Sequence, residues 1–203
     1  MFHIMKMVKD IFKKQKRGFT VVEAMVAISI LLLSITGAFT VAQSSLQSTS
    51  YAKNKTAAYY LAQEGLEYIR HLRDNNGLKM LKDRTGTVTW LDGFAKPGAG
   101  NPCSDSAPCY VDSTNEIGSE PIVCPESGCP LFYLNVATGQ FQYVDKHDLT
   151  VPSTFRRTIT IIPQSIDAST DDQVRVRVVV DWDQNGVPRS LEVSENLYNW
   201  QKL

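Results

Sequence analysis

From Phe19 to Ala42 the chain runs for 24 residues with one charged side chain, Glu23. At about 1.5 Å rise per residue, about 20 helical residues cross a hydrocarbon layer of about 30 Å. This stretch is long enough to span a bilayer as a single helix. Ahead of it lie Lys6, Lys9, Lys13, Lys14, Lys16 and Arg17, against one acid, Asp10. That bias places residues 1–18 on the cytoplasmic side and everything after Ala42 on the other. A secretory signal peptide has a shorter apolar core followed by a small-residue cleavage site, and Thr40 with Ala42 makes a poor version of one.

Glu23 is the residue that a plain anchor does not need. A charge inside hydrocarbon costs roughly 2.5–3.5 kcal/mol on insertion scales, so it calls for a partner. No cation lies within the apolar run. Cutting the chain after Gly18 would create an α-amino group on Phe19, about one helical turn away and charged near neutral pH. Such an amine can neutralise Glu23 within one chain or between neighbours. The run Lys16-Arg17-Gly18-Phe19-Thr20-Val21-Val22-Glu23 resembles the prepilin peptidase site of class III signal sequences in the type IV pilin-like family. A basic leader ends in Gly, an aromatic residue follows at once, Glu stands four residues on, and the apolar helix continues from there. The resemblance implies cleavage between Gly18 and Phe19 by prepilin peptidase, an inner-membrane aspartyl protease, and N-methylation of the Phe19 amine. It implies assembly with other pilins or pseudopilins through the helix, with Glu23 contacting the Phe19 amine of a neighbour. The further partners implied are an inner-membrane assembly platform and membrane lipid. Ala24, Ala27, Ser29, Ser34, Gly37 and Ala38 would let helices approach closely, although ordinary transmembrane composition contains such residues too.

No proline interrupts the chain between Phe19 and Lys96, so helical character is expected to continue beyond the membrane. Ala58, Ala62, Leu66, Ile69 and Leu72 recur at helical spacing as an apolar stripe. Glu67 with Arg70, and Arg70 with Asp74, fall at contact spacings on the wet side. Asn75-Asn76-Gly77 reads as the stop, and Gly37 and Gly65 are possible bends or close-packing points. The segment from Tyr60 through Asn76 also resembles the half-buried helix end of minor pilins of the PilV type and of pseudopilins I and J.

After Gly77 the pattern becomes that of strands. Gly86–Leu91 is short and β-rich. Leu131–Val136 and Gln140–Val144 flank Ala137-Thr138-Gly139 as a hairpin. Phe155–Ile162 alternates, with Phe155, Ile159 and Ile161 on one face. Gln173–Trp182 sets Val174, Val176, Val178 and Val180 to one side, and Asn185-Gly186 turns the chain into Arg189–Ser194. Leu197-Tyr198-Asn199-Trp200 is expected to close the fold by packing an aromatic on the sheet. The fold class is therefore α+β: a long N-terminal α-helix, membrane-spanning in its first half, packed on a C-terminal antiparallel β-sheet. This arrangement resembles the pilin fold. The division expected is a leader over 1–18, an anchoring and assembly helix over 19–42, the outer half of the helix over 43–76, and a β-rich head over 77–203.

Within the head, residues 97–130 are rich in Pro, Gly, Ser and Cys and form a loop long enough to carry function. All four cysteines lie there, at Cys103, Cys109, Cys124 and Cys129. An even count beyond a membrane segment suits disulfides in an oxidising compartment, with three connectivities open. Zinc is the alternative, but its cysteine pairs usually have about two to four intervening residues, and these have five and four. The loop is the candidate for a variable, exposed surface on an assembled filament.

Asp181, Asp183, Asn185, Gly186 and Glu192 formally satisfy a calcium-loop pattern. Strand patterns on both sides and the Asn-Gly pair favour a plain hairpin instead, so no cofactor beyond this calcium candidate is expected. His3, His71 and His147 stand in no metal or triad spacing, and no phosphate-binding loop or nucleophile elbow occurs. The chain is not expected to be an enzyme. Arg156, Arg157, Arg175, Arg177 and Arg189 are placed on the solvent face of the sheet, where resemblance to competence pilins implies a possible DNA contact. Beyond the basic leader the chain is mildly acidic, which gives that idea no global support. Asn54-Lys55-Thr56 is a formal glycosylation sequon, discounted because it lies on the helix. Taken together these features point to a minor pilin or pseudopilin of a type IV pilus, type II secretion or competence system. The other reading is a single-pass anchored extracytoplasmic binding domain or enzyme unrelated to filaments.

Overall fold

The computed structural model describes residues 18–83, 85–94, 102–113, 120–144, 149–164 and 173–200. The leader residues Lys6, Lys9, Asp10, Lys13, Lys14, Lys16 and Arg17, together with His3 and His147, lie outside the described residues, as do 97–101 and 114–119 of the cysteine-rich loop. The chain divides into two compact units, residues 1–50 and 51–203. A long helix, α1 (Val21–Lys82), contributes to both. Seven strands follow: β1 (Cys109–Tyr110), β2 (Ile122–Val123), β3 (Leu131–Asn135), β4 (Phe141–Gln142), β5 (Thr150–Pro163), β6 (Gln173–Gln184) and β7 (Val187–Tyr198). One long N-terminal helix and an antiparallel sheet give the α+β, pilin-like layout expected from the sequence.

In the second unit, the part of α1 from Tyr51 onward buries Ala58, Leu61, Ala62, Gly65, Leu66, Ile69 and Leu72. These residues recur every three or four positions, so they form the stripe that meets the sheet. The sheet answers with a period of two: Val174, Val176, Val178, Val180 and Trp182 of β6 are all buried. β6 pairs with β5 on one side and with β7 on the other, both antiparallel. The opposite edge of β5 serves two partners, β3 along its first half and β1 at Ile159. β5 is 14 residues long, which leaves room for both. β3 pairs with β4, and β1 with β2.

The helix runs past the expected stop at Asn75-Asn76-Gly77 to Lys82. Asn76 is buried, and its side-chain amide donates to the carbonyls of Trp90 at 3.3 Å and Asp92 at 2.7 Å. Tertiary acceptors thus satisfy a side chain that would otherwise compete with the helix backbone. Gly86–Leu91 is not a strand. Asp83 accepts the amides of Thr85 (2.9 Å), Thr87 (2.9 Å) and Val88 (3.0 Å), and Asp92 accepts that of Thr89 (3.0 Å). Carboxylates take the donors that a ladder would have taken, and the segment turns so that Trp90, Leu91 and Phe94 enter the core. The Thr85 hydroxyl, with the amides of Val88 and Thr85, holds the Asp83 carboxyl well below the usual carboxylate range.

Three more expectations are revised. β5 begins at Thr150 and β7 spans Val187–Tyr198, both longer than their sequence patterns. The end of the fold is sealed by Leu197, while Trp200 is 62% exposed. The cysteine-rich segment is partly core: all four cysteines and Val111 are buried.

Candidate functional site

Gly18, Phe19 and Thr20 precede α1 in an exposed, non-helical stretch, and Phe19 is 80% exposed. Gly18 and Phe19, the residues on either side of the expected cleavage junction, are both exposed. The helix starts immediately afterward because Thr20 caps it. Its carbonyl accepts the amide of Ala24 at 3.1 Å, and its hydroxyl accepts the amide of Glu23 at 3.2 Å. Thr20 and Glu23 stand at capping-box spacing, and Glu23 puts an acid in the first turn, where the helix dipole favours it. The Thr-x-x-Glu spacing is the local sequence signal for this cap.

From Val21 to Ala42 every residue of α1 is exposed. Among these residues are Ile28, Ile30, Leu31, Leu32, Leu33, Ile35 and Phe39, so the apolar surface runs all the way round. A helix of that kind belongs in lipid or among other helices. The hydroxyls agree with this: Ser29 donates to the Met25 carbonyl (2.8 Å), Ser34 to Ile30 (2.8 Å), Thr36 to Leu32 (3.0 Å) and Thr40 to Thr36 (2.9 Å). Each is satisfied within the helix and none needs water. The helix is long and apolar enough to cross a membrane. Ala27, Ser34 and Ala38 lie beside Ile30, Leu31 and Ile35 along one shallow groove, a shape that admits a neighbouring helix.

The other sequence candidates fall elsewhere. Cys103 is bonded to Cys109 and Cys124 to Cys129, so no thiolate is left for zinc. Asp181 and Asp183 sit on β6, Asn185 and Gly186 form the two-residue β6–β7 turn with positive φ, and Glu192 lies on β7 opposite Val179. Asp183 accepts the Gly186 amide at 2.9 Å. The segment is a tight hairpin rather than a wrapping loop, and among the described residues no three acids, histidines or cysteines gather as a metal site. His71 contacts Asn75 at 2.9 Å.

The five arginines do not share a face. Arg177 bonds Asp105 and the Thr160 hydroxyl, and Arg175 bonds Asn196. Arg189 lies over the Tyr51 ring of α1. Arg157, expected in solvent, is 0% exposed. Its position on β5 has the same parity as Phe155, Ile159 and Ile161, and it follows them inward. Its guanidinium donates to the carbonyls of Leu61 (2.9 Å) and Val111 (2.6 Å), lies 3.4 Å from the Glu64 carboxylate, and stacks on the Phe132 ring. Buried arginine survives only with such compensation.

Residues 13–39 match the prokaryotic N-terminal methylation motif, the class III prepilin signal. No curated protein and no solved structure matches the chain. The matched stretch contains Gly18, Phe19 and Glu23 and most of the apolar part of α1. It supports a prepilin-type, type IV pilin-like protein, a structural subunit anchored by a single apolar helix. The signal implies processing by prepilin peptidase and assembly with other pilins.

Proposed function

We propose that this chain is a minor pilin or pseudopilin, a structural subunit of a type IV pilus or related secretion or competence filament. Prepilin peptidase cuts it between Gly18 and Phe19 on the cytoplasmic face, and the new Phe19 amine is methylated. The body stays anchored through α1 with its sheet outside the cytoplasm until the assembly platform draws it into the filament. Helix–helix contacts then replace lipid contacts. The amine at Phe19 and the carboxylate at Glu23 form an ion pair between neighbours, which offsets the cost of an acid in an apolar surround and sets the axial register. The observation that carries this reading is the conjunction of an accessible Gly18–Phe19 bond with an apolar helix that has no partner of its own.

The test is the mature N-terminus, read by mass spectrometry on protein extracted from cells with and without active prepilin peptidase. Phe19 carrying one methyl group is expected with the enzyme, and Met1 without it. A start at Met1 or near Gln43 while the peptidase is active would overturn the proposal in favour of a plain single-pass anchor.

A further inference from the structure

The buried Arg157 is held by two backbone carbonyls from segments remote in sequence, Leu61 on α1 and Val111 just after β1. The helical carbonyl is fixed by α1 itself. The Val111 carbonyl is not, because β1 has only two residues and meets β5 at one rung, Cys109 opposite Ile159. A pair that short does not hold its own register. The segment is also held by the β1–β2 pairing, by the Cys124 amide on the Pro108 carbonyl (2.8 Å) and by the Ser113 hydroxyl on the Glu64 carboxylate, and two further ties bind it to β5. The Cys103–Cys109 disulfide closes the loop before β1, and the Cys103 carbonyl accepts the Ile161 amide at 2.6 Å. The bonded cysteines thus grip β5 at Ile159 and Ile161. Continuing the antiparallel register by two residues brings Val111 opposite Arg157, where its carbonyl accepts the guanidinium.

We infer that the Cys103–Cys109 disulfide, buried in the core, is a latch on the helix–sheet interface: closing it secures the register that gives Arg157 its second carbonyl, and opening it loosens that acceptor. The two thiols close by exchange with a disulfide oxidant. Two electrons pass to the oxidant, which leaves as a dithiol, and the exchange conserves protons overall. With the latch open, the Arg157 guanidinium stays beneath α1 without a secure acceptor at Val111, and a buried charged donor in that state is costly. The side chain is then expected to turn toward Glu64 on α1, whose carboxylate is part-exposed. Oxidation of a loop cysteine pair thereby governs the packing of a helix far away in sequence. The Cα–Cα separation of the pair, 4.8 Å, lies within the range a disulfide spans without backbone movement.

Hydrogen exchange on the full-length protein in detergent micelles tests this. The C103A/C109A double substitution is made with Arg157 in place and again together with Arg157→Met, which keeps much of the volume and removes the charge. With Arg157, losing the disulfide is expected to raise exchange over 58–69 on the order of tenfold, the factor matching one lost charge-assisted hydrogen bond. With Arg157→Met the same loss is expected to change that segment by less than about threefold. An equal rise in both backgrounds overturns the inference, and so does an unchanged helix when Arg157 is present. If Arg157→Met does not fold, the unsubstituted protein is titrated with a dithiol reductant. Loosening of 58–69 together with 103–113, ahead of 173–198, supports the latch. A rise confined to 103–113 overturns it. The readout concerns residues 51–203 only and does not depend on the role of the protein in filaments.

Discussion

Gly65 faces the sheet at a point where a side chain would be crowded. A β-carbon there would lie 3.1 Å from Cδ of Arg157, 3.4 Å from Cδ1 of Ile159 and 3.4 Å from Cγ1 of Val178. Replacing Gly by Ala in a helix interior gains about 1 kcal/mol of propensity, whereas overpacking a core costs about 1–3 kcal/mol. Crowding is expected to win, because the two terminal guanidinium nitrogens of Arg157 are both bonded and limit how far its stem can shift. Gly65→Ala should lower the stability of the head by about 1 kcal/mol in urea unfolding followed by tryptophan fluorescence; unchanged or increased stability would refute this account. The sequence marked Gly65 as a close-packing point but could not name its neighbour. The charge of Arg157 points to solvent, whereas its strand parity points to the core. The parity was legible, but the two carbonyls that let a guanidinium follow it inward come from residues 61 and 111.

Most elements could be read from their periods. The helical stripe from Ala58 to Leu72 and the valines of β6 are one-face patterns, and each buries the face it announces. The Asn185-Gly186 turn also announced itself, since both residues need positive φ. Boundaries were the weak point wherever long-range bonds set them. Asn76 illustrates this: in isolation it ends a helix, yet here its amide reaches Trp90 and Asp92 and the helix continues to Lys82. Asn76→Ala strips those two bonds and leaves two carbonyls short of a donor, at a cost of roughly 1–3 kcal/mol. Faster hydrogen exchange over residues 77–82 and looser packing of Trp90 are expected. Unaltered exchange in that segment would mean that helix propensity alone carries the last turns.

For the whole molecule, the proposed filament gives the charge of Glu23 a role that the isolated chain does not. At the start of α1 the Thr20 hydroxyl accepts the Glu23 backbone amide, a bond that any residue at position 23 can make, while the spacing also suits a side-chain capping box. Gln serves a capping box as well as Glu but carries no charge. In the proposed filament, Glu23→Gln and Glu23→Val are both expected to insert and be cleaved, yet to enter filaments on the order of tenfold less well, as for a lost ion pair of about 1.4 kcal/mol. Thr20→Ala is expected to assemble normally. Quantifying each variant in sheared filaments against the membrane fraction separates the two roles. Normal incorporation of Glu23→Gln alongside failure of Thr20→Ala would assign Glu23 to helix capping alone.

The sequence by itself determined the long apolar N-terminal helix, the prepilin-type signal and the alternation of the main strands. These are local properties: an apolar run, a short motif and a period of two or 3.6 are complete within a few tens of residues. Only the tertiary structure decided where Arg157 goes, how far α1 runs, and that part of the cysteine-rich loop belongs to the core. Each of those outcomes depends on donors and acceptors supplied from distant segments, and burial makes such pairings obligatory without leaving any mark in the local pattern.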